Sequence, residues 1–177
     1  MAYASWSVVA FETPNATKWN ILGINDAHFN TKITNRENSS ASAGLGAAQS
    51  IAGAVELVSL ASEFYDADGN FLNTAGNYSY TVPVTGKYQI NAQVIYTSPT
   101  DQKRYGIWIY KNASGIVLRR LSASGTQDFG VSLDTQLLLT AGDVIQLYTD
   151  HNTGSSKSLT YSSTIKLTYM DINLLNE

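Results

Sequence analysis

An all-β sandwich is the fold class this sequence predicts, and three observations carry it. In Tyr88–Tyr96 the apolar residues Tyr88, Ile90, Ala92, Val94 and Tyr96 alternate with Gln89, Asn91 and Gln93. A period of two puts one face toward a core and the other toward solvent. After residue 54 the same theme recurs in about eight to ten short runs separated by turn residues, with no convincing helical period after residue 50. That pattern makes a β-sandwich or jelly roll. The chain has no cysteine, so no disulfide framework replaces a packed core.

Composition narrows the partners. The 177 residues suffice for one sizeable domain and a short appendage. A formal net charge of −3 with few charged residues argues against nucleic acid, because phosphate binding needs a basic stripe. No apolar run approaches a membrane span, and the first eleven residues lack the basic start and apolar centre of a secretory signal. Acceptor-like triplets at Asn15, Asn38, Asn77 and Asn112 read as chance in an Asn/Ser/Thr-rich chain.

Residues 1–35 read as an N-terminal arm. Residues 1–12 are extended, and Thr13 caps a helix with Pro14 in its first position. Trp19, Leu22, Asp26, Phe29 and Ile33 follow at steps of three and four, a narrow stripe interrupted by one carboxylate and spaced around Gly23. Such a helix does not hold itself folded and needs a surface to dock on. Trp6, Phe11, Trp19, Leu22 and Phe29 are the expected docking residues. Residues 36–53 are Ser/Ala/Gly-rich and read as a flexible linker; the other reading is close packing of small residues around an oligomer axis.

The head is expected over residues 54–177. Val55–Leu60 is its first strand and residues 63–65 the second. Asp66-Ala-Asp-Gly-Asn70 lacks the full twelve-residue calcium pattern, so a hairpin turn at Asp-Gly is expected, without bound calcium. Residues 78–82 and 87–96 form two strands joined at Pro83–Gly86. Arg104–Lys111 pairs with Ile116–Leu121 across an Asn-Ala-Ser-Gly turn. Asp128–Leu139, Val144–Thr149 and Leu159–Leu174 complete the domain. Tyr88, Ile90, Val94, Ile107, Ile109, Val131, Leu133, Ile145, Leu147, Ile165 and Leu167 are the expected core.

Leu60, Asp66, Phe71, Tyr80, Gly86, Tyr88, Ile90 and Ala92 follow the spacing of the complement C-one-q globular head, which the head region resembles. Tyr80-Thr-Val-Pro-Val-Thr-Gly-Lys-Tyr-Gln-Ile90 is the most specific block, and Leu139-Thr-Ala-Gly-Asp-Val-Ile-Gln-Leu147 and Ser163–Tyr169 match further strands. The likeness covers residues 54–174, with Tyr80 and Ile90 replacing family phenylalanines and Ala92 an aromatic. It implies a ten-stranded jelly roll of the C-one-q/TNF-like kind, assembled as a homotrimer, in a family of binding heads rather than enzymes. Gln89, Asn91 and Gln93, too polar for a core yet low in charge, are expected at the trimer contact. Pro14–Asn30 resembles a segment of tailed-bacteriophage structural proteins, which implies a place in the virion.

Little in the sequence supports chemistry. His28 and His151 are the two histidines and stand in different modules, so neither a metal nor a catalytic site is expected. There is no nucleophile elbow and no phosphate loop, and no cofactor is expected. Loops on a rigid sandwich are the usual places of recognition. Thr100, Asp101, Lys103 and Arg104 in one loop, and His151, Asn152 and Lys157 in another, are the candidate ligand residues. Tyr96, Tyr105, Trp108, Tyr110, Tyr148 and Tyr161 lie on strands near them. The expected function is a trimeric virion decoration or fibre knob. It docks on other capsid or tail proteins by its arm and shows its head to a host cell-surface glycan or protein. A secreted or surface lectin-like head with no virion role is the alternative.

Overall fold

The computed structural model describes residues 16–177, and side chains from Gly23 onward. Trp6 and Phe11, and the Thr13–Pro14 helix start, lie outside the described residues. The chain divides into two units, Met1–Thr34 and Asn35–Glu177. Helix α1 (Ala16–Asn38) runs unbroken through Gly23, and all its residues from Gly23 to Thr34 are exposed. Its end is closed by Ser39 N–H on Asn35 O and Ser40 Oγ on Glu37 O, while Arg36 in the last turn suits the helix dipole.

The second unit is a sandwich of two antiparallel sheets. Its strands are β1 (Ser40–Gly44), β2 (Gln49–Ile51), β3 (Glu56–Leu57), β4 (Ser62–Asp66), β5 (Phe71–Thr74), β6 (Asn77–Thr81), β7 (Gly86–Thr97), β8 (Arg104–Lys111), β9 (Ser114–Ser122), β10 (Phe129–Leu139), β11 (Val144–His151), β12 (Lys157–Leu159) and β13 (Tyr169–Asn176). One sheet runs β2-β12-β7-β13-β1-β4, with β10 on the other side of β7. The other runs β5-β6-β11-β8-β9, with β3 also on β11. β7 is the spine of the first sheet: it pairs with β10 from Tyr96↔Phe129 to Gly86↔Leu139, and with β13 from Gln93↔Tyr169 to Lys87↔Asn176. Its strict alternation of buried and half-buried residues follows from the period of two in its sequence.

The core lies between the sheets, with Ile90, Val94, Ile107, Ile109, Val131, Ile145 and Leu147 fully buried around Tyr88 and Tyr96. Three expectations are corrected. Residues 36–53 are not a linker: β1 and β2 are strands of the first sheet, with Ala41, Ala43, Leu45 and Ile51 buried. Glycine is needed at the end of β1, where a Cβ on Gly44 would stand 2.8 Å from the Phe64 ring and 2.9 Å from Thr168 O. Asp66–Asn70 is not a hairpin turn. β4 pairs with β1 and β5 with β6, so the segment carries the chain from one sheet to the other, with Asp66 Oδ2 accepting the Phe71 N–H at 2.7 Å. Leu159–Leu174 is not one strand: the chain leaves the ladder after β12 and rejoins at β13, so Ile165 is 62% exposed and Leu167 only half-buried.

Candidate functional site

Ile107 and Ile109 point into the core, so Trp108 and Tyr110 must project from the outer face of the second sheet. On the adjacent β11 the same parity brings Tyr148 to that face, directly opposite Trp108. Tyr110 and Tyr148 stack with centroids 4.1 Å apart, and Trp108 meets Tyr110 edge-on at 6.2 Å. All three rings are half-buried. They form a continuous aromatic platform, bounded on β9 by Leu118, the partner of Trp108. Gly115 helps keep the rings open, since a Cβ there would come within 3.1 Å of Tyr110 and 3.2 Å of Trp108.

An ion pair between a buried carboxylate and a solvent-facing guanidinium fixes one end of the platform. Asp150, only 4% exposed, accepts from Trp108 Nε1 at 2.7 Å and from Arg120 at 3.1 Å. The Arg120 guanidinium lies 4.9 Å over the indole, a cation–π contact that adds to the pair. Gly106 is what admits the carboxylate: a Cβ at that position would stand 2.0 Å from Asp150 Oδ1. The result is a braced aromatic cluster: Tyr110 and Tyr148 cover one face of each other and Arg120 lies over the indole, which leaves ring edges and the remaining faces for contact beside a polar margin.

The two loops expected to hold ligand do meet, but several of their side chains hold the loops themselves. Asn152 Oδ1 accepts the Arg104 N–H at 2.7 Å, and Lys157 Nζ donates to Ser98 O at 3.0 Å. Asp101 accepts the Gly125 N–H at 2.6 Å, and the half-buried Thr100 donates its N–H to the Tyr105 hydroxyl. His151 is a correction: it is 3% exposed, with Nε2 on Ile51 O and Nδ1 on Thr153 Oγ1, so it is a core residue rather than a ligand contact. Lys103 and Arg104 are exposed. Tyr96 and Tyr105 are core rings. The Tyr96 hydroxyl bonds Thr149 Oγ1 at 2.6 Å, and burial pushes its phenol well above the ordinary range. Among the described residues no group of three or more His, Asp or Glu side chains could hold a metal ion.

On the opposite sheet, Gln89, Asn91 and Gln93 lie half-buried on the outward face of β7. Asp134 on β10 and Asp171 on β13 flank Asn91 in register. Gln89 Nε2 donates to Asp134 at 2.5 Å, Gln93 donates to Leu167 O at 2.8 Å, and Asp171 receives Ser42 Oγ and Lys166 Nζ. Of the arm residues, Phe29 is 64% exposed; Trp19 and Leu22 stand on α1, with side chains outside the described residues. Sequence reasoning missed Leu118, Arg120, Gly106 and Gly115 around the platform. Parity alone could have found its rings, because placing Ile107 and Ile109 inside forces Trp108 and Tyr110 outside.

No family model and no curated relative matches the sequence. Similar solved structures include the Eiger TNF of S. frugiperda, with a TM-score of 0.60 at 14% identity over 78% of this chain and 92% of that one. The globular domain of zebrafish complement 1qA protein gives a TM-score of 0.56 at 14% identity, over 78% of this chain and 98% of that one. Murine APRIL gives 0.59 at 15% identity, over 77% and 98%. At such identities the likeness is one of fold: the sandwich is a jelly roll of the TNF and C-one-q kind.

Proposed function

We propose that this chain is a non-enzymatic bacteriophage virion protein, a trimeric decoration or fibre knob that docks by its N-terminal arm and presents its jelly roll for attachment. The observation that carries the reading is the division of labour along the chain. The sandwich closes its own core from residues 39–176, while α1 keeps Ile24, Phe29 and Ile33 exposed. A helix with apolar residues in water calls for a partner surface. The resemblance of Pro14–Asn30 to phage structural segments supports a capsid or tail protein as that partner. The C-one-q-like spacing of the head supports a trimer and a binding role.

Within that reading the platform of Trp108, Tyr110 and Tyr148 is the surface for a host glycan or protein. Half-buried rings on a rigid sheet bind at little conformational cost, and stacking on a sugar ring or a side chain uses their exposed faces. The same platform would serve a lectin-like head with no virion role, and one deletion separates the two. Removing residues 1–35 cuts before β1. The expected product is a folded, soluble head that no longer joins particles. A truncated head that unfolds would place the arm in the core, and one that still assembles onto particles would move docking to the head.

A further inference from the structure

We propose that α1 is a self-association segment: the stripe Trp19–Leu22–Asp26–Phe29–Ile33 packs against the same stripe of other copies of this chain in a parallel coiled coil. The spacing along the stripe is three, four, three, four. That alternation averages three and a half residues, which is the seam of helices wound on one another, whereas a helix laid on a globular surface shows a broader face. The helix cannot stand alone. It carries Gly23 and a run of β-branched and Asn residues (Ile21, Ile24, Asn25, Asn30, Thr31, Ile33, Thr34) that lower helix propensity. Every residue from Gly23 to Thr34 is exposed, so among the described residues this stretch of the helix gains no burial to offset that weakness.

Asp26 falls on the seam itself. At one level in a parallel assembly the copies of this carboxylate repel one another and lower the stability of pairing, so Asp26 is the weak point of the seam. Ile24, also exposed, lies on the far side of the helix from the seam. The inference deepens the virion reading and takes from it only the number of copies; the pairing stands on the spacing. It assigns Trp19, Leu22, Phe29 and Ile33 to contact between copies, so that docking on the shell is left to the exposed Ile24 on the far side of the helix and to the expected Trp6 and Phe11.

The chain has no cysteine, so single cysteines placed in the full-length protein report pairing directly. Ile33→Cys and Phe29→Cys should form interchain disulfides under mild oxidation, at yields about five-fold above Ile24→Cys, since the bond needs closely approaching Cβ atoms. Asp26→Ile should raise the melting temperature of the helical signal in circular dichroism. Equal yields at Ile33 and Ile24, or no cross-link at Ile33 and Phe29 while the helical signal persists, would overturn the proposal. A failure of pairing in a protein that still has a trimer's mass counts against this inference alone. Pairing intact in a protein that does not join particles counts against the virion reading alone.

Discussion

The Asp143 carboxylate accepts the Thr140 N–H at 2.8 Å, Asn112 Nδ2 at 2.7 Å and Lys111 Nζ at 3.2 Å. It therefore joins the turn between β10 and β11 to the turn between β8 and β9. The Thr140 N–H first, then Asn112 and Lys111, outweigh the burial that opposes them and hold this carboxyl below its ordinary value of 3.8. The unfolded chain then takes up the proton at a higher pH than the folded one. The stability contributed by Asp143 is complete above the ordinary value and is lost as pH falls through the lower, folded value. We expect Asp143→Asn to cost up to about 1.5–3 kcal/mol near neutral pH, the range for a hydrogen bond to a charged group. Denaturant melts of both proteins down to about pH 2 should show the gap closing in acid; a gap constant with pH would mean the charge is irrelevant. At this scale the sequence was only partly legible. In sequence Asp143 and Asp150 simply flank the run Val144–Thr149, and nothing local shows that Asp150 is buried against Trp108 and Arg120, because Arg120 and Asp150 meet only across strands.

The β8–β9 hairpin closes over Asn112 and Ala113, whose φ values of +50° and +65° lie in the left-handed region. Two positive φ angles in a two-residue loop give the turn whose twist matches the flanking strands. Asn112 suits it, and its Oδ1 also accepts the Val144 N–H at 2.8 Å. Ala113 does not, since a Cβ in that region costs about 1–2 kcal/mol. Ala113→Gly is expected to stabilise the protein by up to about 1 kcal/mol despite glycine's freer unfolded state. A chemical-denaturation midpoint that falls would show that the loop relaxes in some other way. This hairpin was legible because its strands alternate and a turn signal separates them. β1 and β2 were not, because Ser40–Gly44 has neither β-branched nor aromatic residues and is a strand only because the β13 and β4 ladders enclose it. Ile165 misled in the opposite way: its alternation with polar neighbours continues where the chain has already left the sheet.

On the scale of the whole molecule, the sandwich has two wide outer faces of different chemistry. The aromatic platform occupies one. The other presents Gln89, Asn91 and Gln93 on β7 between Asp134 on β10 and Asp171 on β13. Amide side chains in a row suit a contact between copies: they pair with one another across a symmetry axis and leave no unpaired charge buried. The carboxylates beside them are already engaged, Asp134 by Gln89 and Asp171 by Ser42 and Lys166. If this face forms the proposed trimer, Asn91→Glu adds one carboxylate per chain between two existing ones, and the assembly gathers three copies of that repulsion. Within a single chain the same change is mild, since like charges on paired strands cost about 0.2–1 kcal/mol. Light scattering at micromolar concentration should therefore give three times the 19.2 kDa chain mass for the parent protein and a shift toward single chains for Asn91→Glu. The far-ultraviolet spectrum of the sandwich should stay unchanged. A parent protein that is already monomeric would remove the trimer. A variant that remains trimeric would place the contact on another face, with the platform of Trp108, Tyr110 and Tyr148 then the first alternative.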